Sequence, residues 1–442
     1  MMTTHLINAL ATTDALAAVF GDAALLQAML DVEAALARVQ ARLGVIPARA
    51  SDAIGAAARA DGFDAAALAR EARASGTVII PLVNALTARV RAADEDSARF
   101  VHWGATSQDI SDTALVLTLT RARPLLEADQ QRLSRALHAL SATHAQTVML
   151  ARTLLQPASP TTFGLKVAGW HAATERSWRR LSTAFDEAAV IQCGGAAGTL
   201  AALGSTGGAT CRDLAIDLGL AEPDAPWHTH RDRLAAVVTN CGILVAALGK
   251  IARDVSLLMQ HEVGEVSEPG GSSSTMPQKC NPAGCAIALA ASTRAPGLVA
   301  SFLAGMVQEH ERSLGGWHAE WPTISALVQA TGAALSAMAG VAEGLTVDPQ
   351  RMRANLDSTN GAVFAERVMM LLAPTLGRDR VHRLVIDALE DSRRTGRSFT
   401  AALATLPEAK GVLTAAQLDS LGRPEDYLGS AEVFRRRLLG GS

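Results

Sequence analysis

Apolar residues recur along much of the chain in alternating steps of three and four. Residues with this spacing share one face of an α-helix, because the helix has 3.6 residues per turn. The pattern therefore predicts one long helix with a continuous buried stripe. The residues of this stripe are Leu234, Val237, Cys241, Leu244, Leu248, Ile251, Val255 and Leu258.

A second apolar series lies near the beginning of the chain. It opens after Asp22, a candidate N-cap, and it stops at Gly44, with Pro47 beyond. A polar residue before such a series and glycine after it are typical of helix ends. The series predicts a capped helix, with the apolar positions Leu25, Met29, Val32, Leu36, Val39 and Leu43.

Long helical segments dominate the middle of the chain, and strand signals are nearly absent. Further helices are expected at about 111–147, 161–190, 282–312 and 320–345, with a kink in the first at Pro124, because proline lacks the backbone donor. Five long, alanine-rich helices predict an all-α fold with a central bundle. The predicted domains are an N-terminal helical domain at 1–110, the bundle at 111–347 and a C-terminal helical domain at 348–442.

Composition limits the classes of partner. The chain has 442 residues, 49% of them hydrophobic, which is enough for a large core and excludes disorder as the main state. Its 40 basic and 43 acidic residues give a net charge of −3, and there is no basic run. We therefore expect a small-molecule partner, with neither nucleic acid nor a membrane. The N-terminus lacks signal-peptide features, which predicts a soluble, cytoplasmic protein.

Cysteine and histidine spacing gives no support for a metal site or for disulfides. The cysteines are odd in number and form no CxxC pair, as expected for reduced thiols in a cytosol. The stretch "WHTH" at 227–230 lacks an acid-rich partner or an HExxH spacing. We predict no metal and no organic cofactor. The five cysteines are Cys193, Cys211, Cys241, Cys280 and Cys285.

The loop "SEPGGSSSTMPQKCNP" at 267–282 is the strongest candidate for chemistry. It combines hydroxyl groups at 272–275 with the cation of Lys279, the amide of Asn281 and a helix N-terminus near Pro282. Free backbone donors at a helix start, next to a lysine, would bind an anion such as a substrate carboxylate. A solvated serine and glycine linker with a surface lysine has the same composition, so composition alone leaves both interpretations open.

The order of residues in this loop favours the first interpretation. "SSSTMPQKCNP" resembles the signature GSSxMPxKxNP of the fumarase/aspartase superfamily, with Ser272 in the glycine position. "HWGATSQDISDTAL" at 102–115 resembles the first conserved block of that superfamily, and "ARTLLQPASPTTFG" at 151–164 resembles its second. The resemblance implies three helical domains and a central five-helix domain that builds a twenty-helix tetramer core. It further implies active sites shared between the subunits of a homotetramer.

The resemblance also implies a reaction. Members of the superfamily remove a proton next to a carboxylate, and a group then leaves the neighbouring carbon. By resemblance Ser273 is the residue that transfers the proton, and Lys279 with loop amides would favour its alkoxide. Thr106, Ser107 and Asn281 match positions that bind the substrate carboxylate.

Three more positions in these blocks have two interpretations each. Asp109 matches a substrate-binding position, yet it could equally cap the helix that follows. His102 matches a histidine of the adenylosuccinate-lyase branch, where it would touch substrate or proton, although a lone histidine is often structural. Gln156 is either a hydrogen-bond donor to substrate or a residue that ties its loop down.

Leu154 stands where the second block usually has histidine, which points to a particular branch. If the leaving group in the reverse, ring-opening direction is the substrate's own carboxylate, it departs as a stable anion and needs no acid. The departure at Leu154 therefore favours the cycloisomerase branch, whose members form lactones from 3-carboxymuconate. "EHERSLGGWHAEW" at 309–321 resembles the same branch. A tricarboxylate substrate needs several cations, for which the candidates are Lys279, Arg312 and either Arg231 or Arg233.

Two other functions stay open from the sequence. A fumarate-releasing lyase, such as adenylosuccinate lyase, would share the fold and the serine loop, but Leu154 argues against it. A non-catalytic helical scaffold derived from the same fold could lose the loop residues, whereas Ser273, Lys279 and Asn281 are all present.

Overall fold

The protein is predominantly helical. The computed structural model describes residues 6–271, 275–276, 279–410 and 412–440. Its α-helices are α1 Asp14–Val19, α2 Asp22–Arg42, α3 Ala48–Ala57, α4 Ala65–Ser75, α5 Ile79–Ala93, α6 Ser107–Thr143, α7 Phe163–Ala188, α8 Gly207–Leu218, α9 Asp232–Met259, α10 Ala283–Ala304, α11 Gly316–Gly344, α12 Pro349–Asp357, α13 Ala365–Leu376, α14 Arg378–Thr395, α15 Phe399–Thr405, α16 Pro407–Lys410, α17 Ala415–Leu421 and α18 Ala431–Leu438. The predicted all-α class is confirmed.

The predicted long helices are all present. Helices α6, α7, α9, α10 and α11 correspond to the five expected segments, and every residue of the α9 stripe is at most 5% exposed. The second series forms α2, but its N-cap is Gly21, and Asp22 is the first helical residue. Helix α6 continues through Pro124 as one element, so the kink stays a prediction.

One predicted helix is shorter than expected. Helix α10 ends at Ala304, eight residues before the predicted end at 312. Gly305 and Gly315 lie between α10 and α11, and Gly315 has a φ of 96°, which favours glycine over other residues. The intervening residues form a loop that carries Arg312 and leads into α11.

Two short sheets were not predicted. Strands β1 Val148–Thr153 and β2 Gln156–Thr162 form an antiparallel hairpin, and β3 Val266–Ser267 pairs with β4 Thr346–Val347. Strand β2 contains two prolines and begins within a stretch interpreted as a conserved loop, so its residue types gave no strand signal. The hairpin is anchored by a buried apolar cluster of Val148, Leu150, Leu356 and Phe364.

The turn of the β1–β2 hairpin has an unusual composition. Leu154 and Leu155 connect the paired residues Thr153 and Gln156, and their φ angles are 50° and 65°. Two central residues with positive φ define a type I′ turn, which normally contains asparagine and glycine. A left-handed conformation costs on the order of 1–2 kcal/mol for each such leucine. The turn is therefore strained.

The chain divides into two compact units. Unit 1 comprises Met1–Gln131, Arg176–Gly249 and Ile287–Ala337, and unit 2 comprises Arg132–Glu175, Lys250–Ala286 and Met338–Ser442. Each of the five long helices contributes residues to both units. The predicted three-domain boundaries stay a prediction.

Small residues allow close helix packing in unit 1. A Cβ atom on Gly249 of α9 would lie 2.4 Å from Ser292 Oγ on α10, and a Cβ atom on Gly242 would lie 2.8 Å from Val299 Cγ2. Both distances are shorter than a van der Waals contact, so glycine is required for the observed approach of α9 and α10.

In the part of the chain that the structure describes, three helices are long and apolar enough to cross a membrane when judged by length and composition alone. These are α9, α10 and α11. The most apolar windows of α9 and α11 are 56% and 67% buried inside the protein, whereas that of α10 is only 22% buried. Burial accounts for the apolar character of α9 and α11. Helix α10 presents an apolar surface.

Candidate active site

The first block lies at the start of α6 in unit 1. The helix begins at Ser107, and the backbone N–H of Thr106 donates to Asp109 Oδ2 at 3.1 Å. Asp109 thus closes the first turn from three residues downstream, as in one half of a capping box. The side chains of Thr106 and Ser107 are half-buried. Two adjacent hydroxyls at the start of a 37-residue helix are well placed to bind a carboxylate.

Asp109 itself is bound by the protein on several sides. Its Oδ1 accepts from the backbone N–H of Gly194 at 2.9 Å and contacts His228 Nε2 at 2.8 Å. Its Oδ2 accepts from the backbone N–H of Gly195 at 2.8 Å, in addition to the N–H of Thr106. The residue is only 4% exposed. Its geometry fits a role in joining the loop that carries Gly194 and Gly195, here called the glycine loop, to α6. Direct contact with substrate stays a prediction.

The glycine loop is packed against His228. A Cβ atom on Gly194 would lie 2.7 Å from both His228 Cε1 and Pro226 Cβ, so only glycine fits. Residues Ile191 and Cys193, just before the loop glycines, belong to an apolar cluster with α2 and α8. The loop that binds Asp109 is thereby fixed in place.

His102 pairs with a buried carboxylate. Its Nδ1 lies 2.6 Å from Glu33 Oε1, and Glu33 on α2 is 1% exposed. Burial lowers the pKa of His102, but the charge and hydrogen bond of Glu33, with a smaller contribution from Asp109, outweigh this effect and raise the pKa above its ordinary value. The pair with Glu33 thus makes His102, next to the start of α6, easier to protonate than an ordinary histidine.

Arg312 reaches the same region from the loop between α10 and α11. Its Nε donates to Gln108 Oε1 at 3.3 Å, and its Nη2 donates to the carbonyl oxygen of Ala196 at 3.1 Å. Within the described ranges, Nη1 has no hydrogen-bond partner, and the residue is exposed. Arg312 can thus offer donors to an anion while the protein holds the other side of its guanidinium.

Arg231 differs from Arg312 because it is 1% exposed. Its guanidinium bonds both oxygens of Asp112, at 2.7 and 3.0 Å, and both oxygens of Glu320, Oε1 at 3.0 Å and Oε2 at 2.6 Å. Burial lowers the pKa of Arg231, but the two carboxylates outweigh burial and raise it. The expectation of a substrate-binding cation needs correction, because these carboxylates already neutralise Arg231. Arg233, the alternative candidate, is half-buried at the start of α9.

The second block forms the hairpin of unit 2. Gln156 begins β2 and is exposed, directly after the turn. Leu154 and Leu155 are 97% and 74% exposed. Close to the turn, Arg152 forms a bidentate pair with the buried carboxylate of Glu265, at 2.6 and 3.1 Å. The hairpin thus presents an apolar tip on an anchored stem.

The third block lies before α10 in unit 2. Ser273 falls outside the described residues, whereas Lys279 is exposed and Asn281 is half-buried. The buried carboxylate of Glu268 accepts from the backbone N–H groups of Gly284 and Cys285, at 2.7 and 3.1 Å. The expected anion site at the start of α10 needs correction, because Glu268 already occupies it.

The structure also bears on metal binding. Among the residues it describes, no group of three or more histidine, cysteine, aspartate or glutamate side chains could hold a metal ion. His228, one of the two histidines of "WHTH", contacts Asp109.

Two protein-family models show which family the chain belongs to. A model described as Lyase matches residues 9–297, and a model described as Adenylosuccinate lyase C-terminus matches residues 361–438. The first alone spans more than half of the chain. The chain belongs to the fumarase/aspartase superfamily. The resemblance drawn from the three blocks is thus confirmed.

Several relatives of this superfamily member match it over nearly its whole length. The 3-carboxy-cis,cis-muconate cycloisomerase of Bradyrhizobium diazoefficiens is 46% identical and covers 98% of this chain and 97% of its own length. The enzyme of the same name from Pseudomonas aeruginosa is 48% identical, covering 96% and 93%. The crystal structure of the 3-carboxy-cis,cis-muconate lactonizing enzyme from Pseudomonas putida matches with a TM-score of 0.93 at 44% identity, covering 98% of both chains.

In this superfamily member, the structure brings some of the predicted residues together. Unit 1 contains the start of α6 and Arg312, which are joined through Asp109, Gln108 and the glycine loop, and it contains His102, which pairs with Glu33. Unit 2 contains Gln156, Lys279 and Asn281. The amino-acid patterns gave no prediction of a role for Glu33, Gln108 or His228. A buried acid inside the apolar series of α2 was a usable signal for Glu33, since such an acid needs a partner.

Proposed function

We propose that the protein is an intramolecular lyase that converts 3-carboxy-cis,cis-muconate to 4-carboxymuconolactone, a step in the catabolism of protocatechuate. The observation that carries this proposal is the near full-length similarity to enzymes named for that reaction, at 46% and 48% identity. Leu154, in place of the usual histidine of the second block, supports the same branch.

The reaction forms one carbon–oxygen bond and consumes one proton. An oxygen of one substrate carboxylate bonds to a carbon of the conjugated double bond, and the neighbouring carbon accepts a proton. The substrate thus takes up one proton and loses one negative charge as the lactone forms. The site must stabilise the negative charge that develops next to a second carboxylate during this step.

We assign the proton transfer to Ser273, from its position in the third block. Lys279, six residues later, would stabilise the alkoxide that remains after the serine has given its proton to carbon. The exposed side chain of Lys279 leaves its ammonium group accessible for this role. Asn281 would bind a substrate carboxylate as an amide donor.

In a site shared between subunits, other charges of the substrate would be met by unit 1 groups of a neighbouring subunit. The hydroxyls of Thr106 and Ser107, the protonated form of His102 and the Nη1 donors of Arg312 all lie on elements tied to the start of α6. Gln156 on the hairpin would supply a further amide. A tricarboxylate needs several such donors, because each carboxylate that loses water requires replacement hydrogen bonds.

The proposal includes a cytoplasmic homotetramer with shared sites, and no cofactor, nucleic acid or membrane. The exposed apolar surface of α10 supports association, since its most apolar window is only 22% buried in a single chain. The exposed tip at Leu154 and Leu155 supports it as well. An apolar side chain at 154 would help to exclude water once a neighbouring subunit covers it.

An assay with purified protein tests the function. Loss of carboxymuconate absorbance, with the lactone identified by NMR, is expected, and dialysis against a chelator should leave the rate unchanged. Ser273→Ala should lower kcat by about a thousandfold or more, with binding largely kept, because the lost interaction belongs to the transition state.

The same experiment addresses the lyase alternative. Fumarate release from adenylosuccinate and argininosuccinate is measured in parallel and should be undetectable. Efficient cleavage of adenylosuccinate without any lactone formation would refute the proposed function. Near-normal turnover by correctly folded Ser273→Ala would remove that serine from its assigned role.

A further inference from the structure

Gln108 connects a buried charge network to an exposed arginine. It lies in the first turn of α6, is fully buried and uses both ends of its amide. Nε2 donates to Asp112 Oδ2 at 3.1 Å and to the carbonyl oxygen of His228 at 2.8 Å, while Oε1 accepts from Arg312 Nε at 3.3 Å. We propose that Gln108 is a positioning residue that holds Arg312 toward the substrate.

The orientation of the amide follows from its partners. A carboxylate and a carbonyl oxygen can only accept, so the NH₂ group of Gln108 must face Asp112 and His228. The oxygen of the amide is then turned toward Arg312, which can only donate. Reversal of the amide would lose all three hydrogen bonds. The buried partners thus determine which atom Arg312 meets.

Asp112 gives this arrangement its rigidity. Its carboxylate also accepts from Arg231 and from the indole Nε1 of Trp317 at 3.0 Å, and the residue is fully buried. Breaking such a buried pair costs several kcal/mol, so Asp112 moves little. Gln108 therefore transmits a fixed position from α6 to a residue on a loop.

The position of Arg312 matters because one side of its guanidinium remains available to bind an anion. Gln108 and Ala196 engage Nε and Nη2, which leaves Nη1 for an anion. An arginine held on one side loses less conformational entropy when it binds a carboxylate. This inference rests on the proposed function insofar as the anion is the carboxymuconate substrate.

Gln192 supplies a matched control. Its Nε2 also donates to Asp112 Oδ2 at 3.1 Å, and its Oε1 accepts from the backbone N–H of Trp227 at 2.9 Å. It is equally buried, but among the described residues no hydrogen bond joins it to Arg312. Gln108→Met and Gln192→Met thus each remove one hydrogen bond to Asp112, and only the first releases Arg312.

Steady-state kinetics with carboxymuconate test whether Gln108 affects substrate binding through Arg312. Gln108→Met should raise KM about tenfold or more with a much smaller change in kcat, whereas Gln192→Met should leave KM near the wild-type value. In an Arg312→Ala background, Gln108→Met should have no further effect on KM. Independent, additive effects of the two substitutions would overturn the proposal.

A second variant separates positioning from stability. Gln108→Glu keeps an acceptor for Arg312 but loses both donors and adds a charge next to Asp112. It should therefore lower the melting temperature at least as much as Gln108→Met while raising KM less. If the variant with the lower melting temperature also has the higher KM, then KM follows stability alone. That result would contradict the proposal.

A labelling experiment needs no substrate. Phenylglyoxal modification of Arg312, located by peptide mass spectrometry, should be severalfold faster in Gln108→Met than in the wild type or Gln192→Met, because the guanidinium is released. Equal rates would overturn the proposal. If the wild type forms no lactone, the proposed function fails, and these labelling rates alone decide whether Gln108 holds Arg312.

Discussion

Two regions of the molecule that carry conserved blocks are built in opposite ways. At the start of α6 in unit 1, Asp109, Asp112 and Arg231 are buried, and each makes several charged hydrogen bonds. At the hairpin tip in unit 2, Leu154 and Leu155 are exposed and left-handed. The first region is organised within one chain, whereas strain and exposure in the second fit the proposed role of its tip against a neighbouring subunit.

The difference has an energetic side. A buried ion network is sensitive to the loss of a single partner, since the remaining charge has no water to solvate it. An exposed turn can lose its side chains with little effect on the fold, and relief of backbone strain can even stabilise it. Substitutions in the two regions should therefore change stability in opposite directions.

The largest effect is expected from Arg231→Leu. The substitution leaves Asp112 and Glu320 buried without their cation, which should destabilise the protein by about 3–5 kcal/mol. Urea unfolding gives the free energy. Arg353, an exposed arginine of unit 2 that pairs with Asp357 and Glu425, provides the control, since Arg353→Leu should cost less than about 1 kcal/mol. Equal losses would mean that burial does not distinguish the two ion pairs.

The turn should respond in the opposite sense. Replacing Leu154 by Asn and Leu155 by Gly gives the sequence that a type I′ turn prefers, and should stabilise the protein by about 1–2 kcal/mol. Lactone formation should fall, because the apolar tip is lost. Leu314→Asn serves as the control, because Leu314 is 89% exposed but lies outside the positive-φ residues. A comparable gain from Leu314→Asn would point to surface polarity as the cause.

A smaller, pH-dependent effect is expected at His102. Its pKa is raised in the folded protein, so its charge stabilises the fold below the ordinary pKa of about 6.5, and this contribution is lost as the pH rises through the folded-state pKa. Glu33→Gln should lower the pKa of His102, since burial then acts without the carboxylate. NMR titration measures the pKa directly.

Stability measurements provide a second check on His102. The difference between wild type and Glu33→Gln should be wider at about pH 5.5 than at about pH 8.5, because only the protonated imidazole is stabilised by Glu33. A difference independent of pH would show that Glu33 acts through packing instead.

The smallest effect on stability is expected from Leu154→His. The side chain is almost fully exposed, so the melting temperature should stay within about one degree. Lactone formation should be reduced or unchanged, and no lyase activity toward adenylosuccinate should appear. Appearance of fumarate in this variant would show that residue 154 alone separates the two reactions.

Sequence patterns were sufficient for the helices and for the family. The periodic stripe of α9 is buried as predicted, and the three blocks identified the superfamily that the family models confirm. The β1–β2 hairpin was missed, because its second strand is rich in proline and polar residues. Its pairing depends on the cluster of Val148, Leu150, Leu356 and Phe364, which joins distant parts of the chain.

The roles of residues in the candidate site were harder to predict from local sequence than the helices were. Asp109 could be a cap or a substrate contact, and Arg231 could be a surface cation or a buried one. Neither choice is visible in the residues around them. The contacts that distinguish the alternatives join residues 85 and 119 positions apart, as between Asp109 and Gly194 or His228.

The amino-acid sequence by itself determined the helical class, the buried face of α9 and the residue types available for chemistry. Helical periodicity and the order of residues within each block are local properties, so they can be read without the tertiary structure. Only the tertiary structure decided that Arg231 is neutralised by Asp112 and Glu320 while Arg312 keeps a free face. The two arginines look alike in sequence. Burial and the carboxylates that the fold places around each guanidinium make one a structural ion and leave the other able to bind an anion.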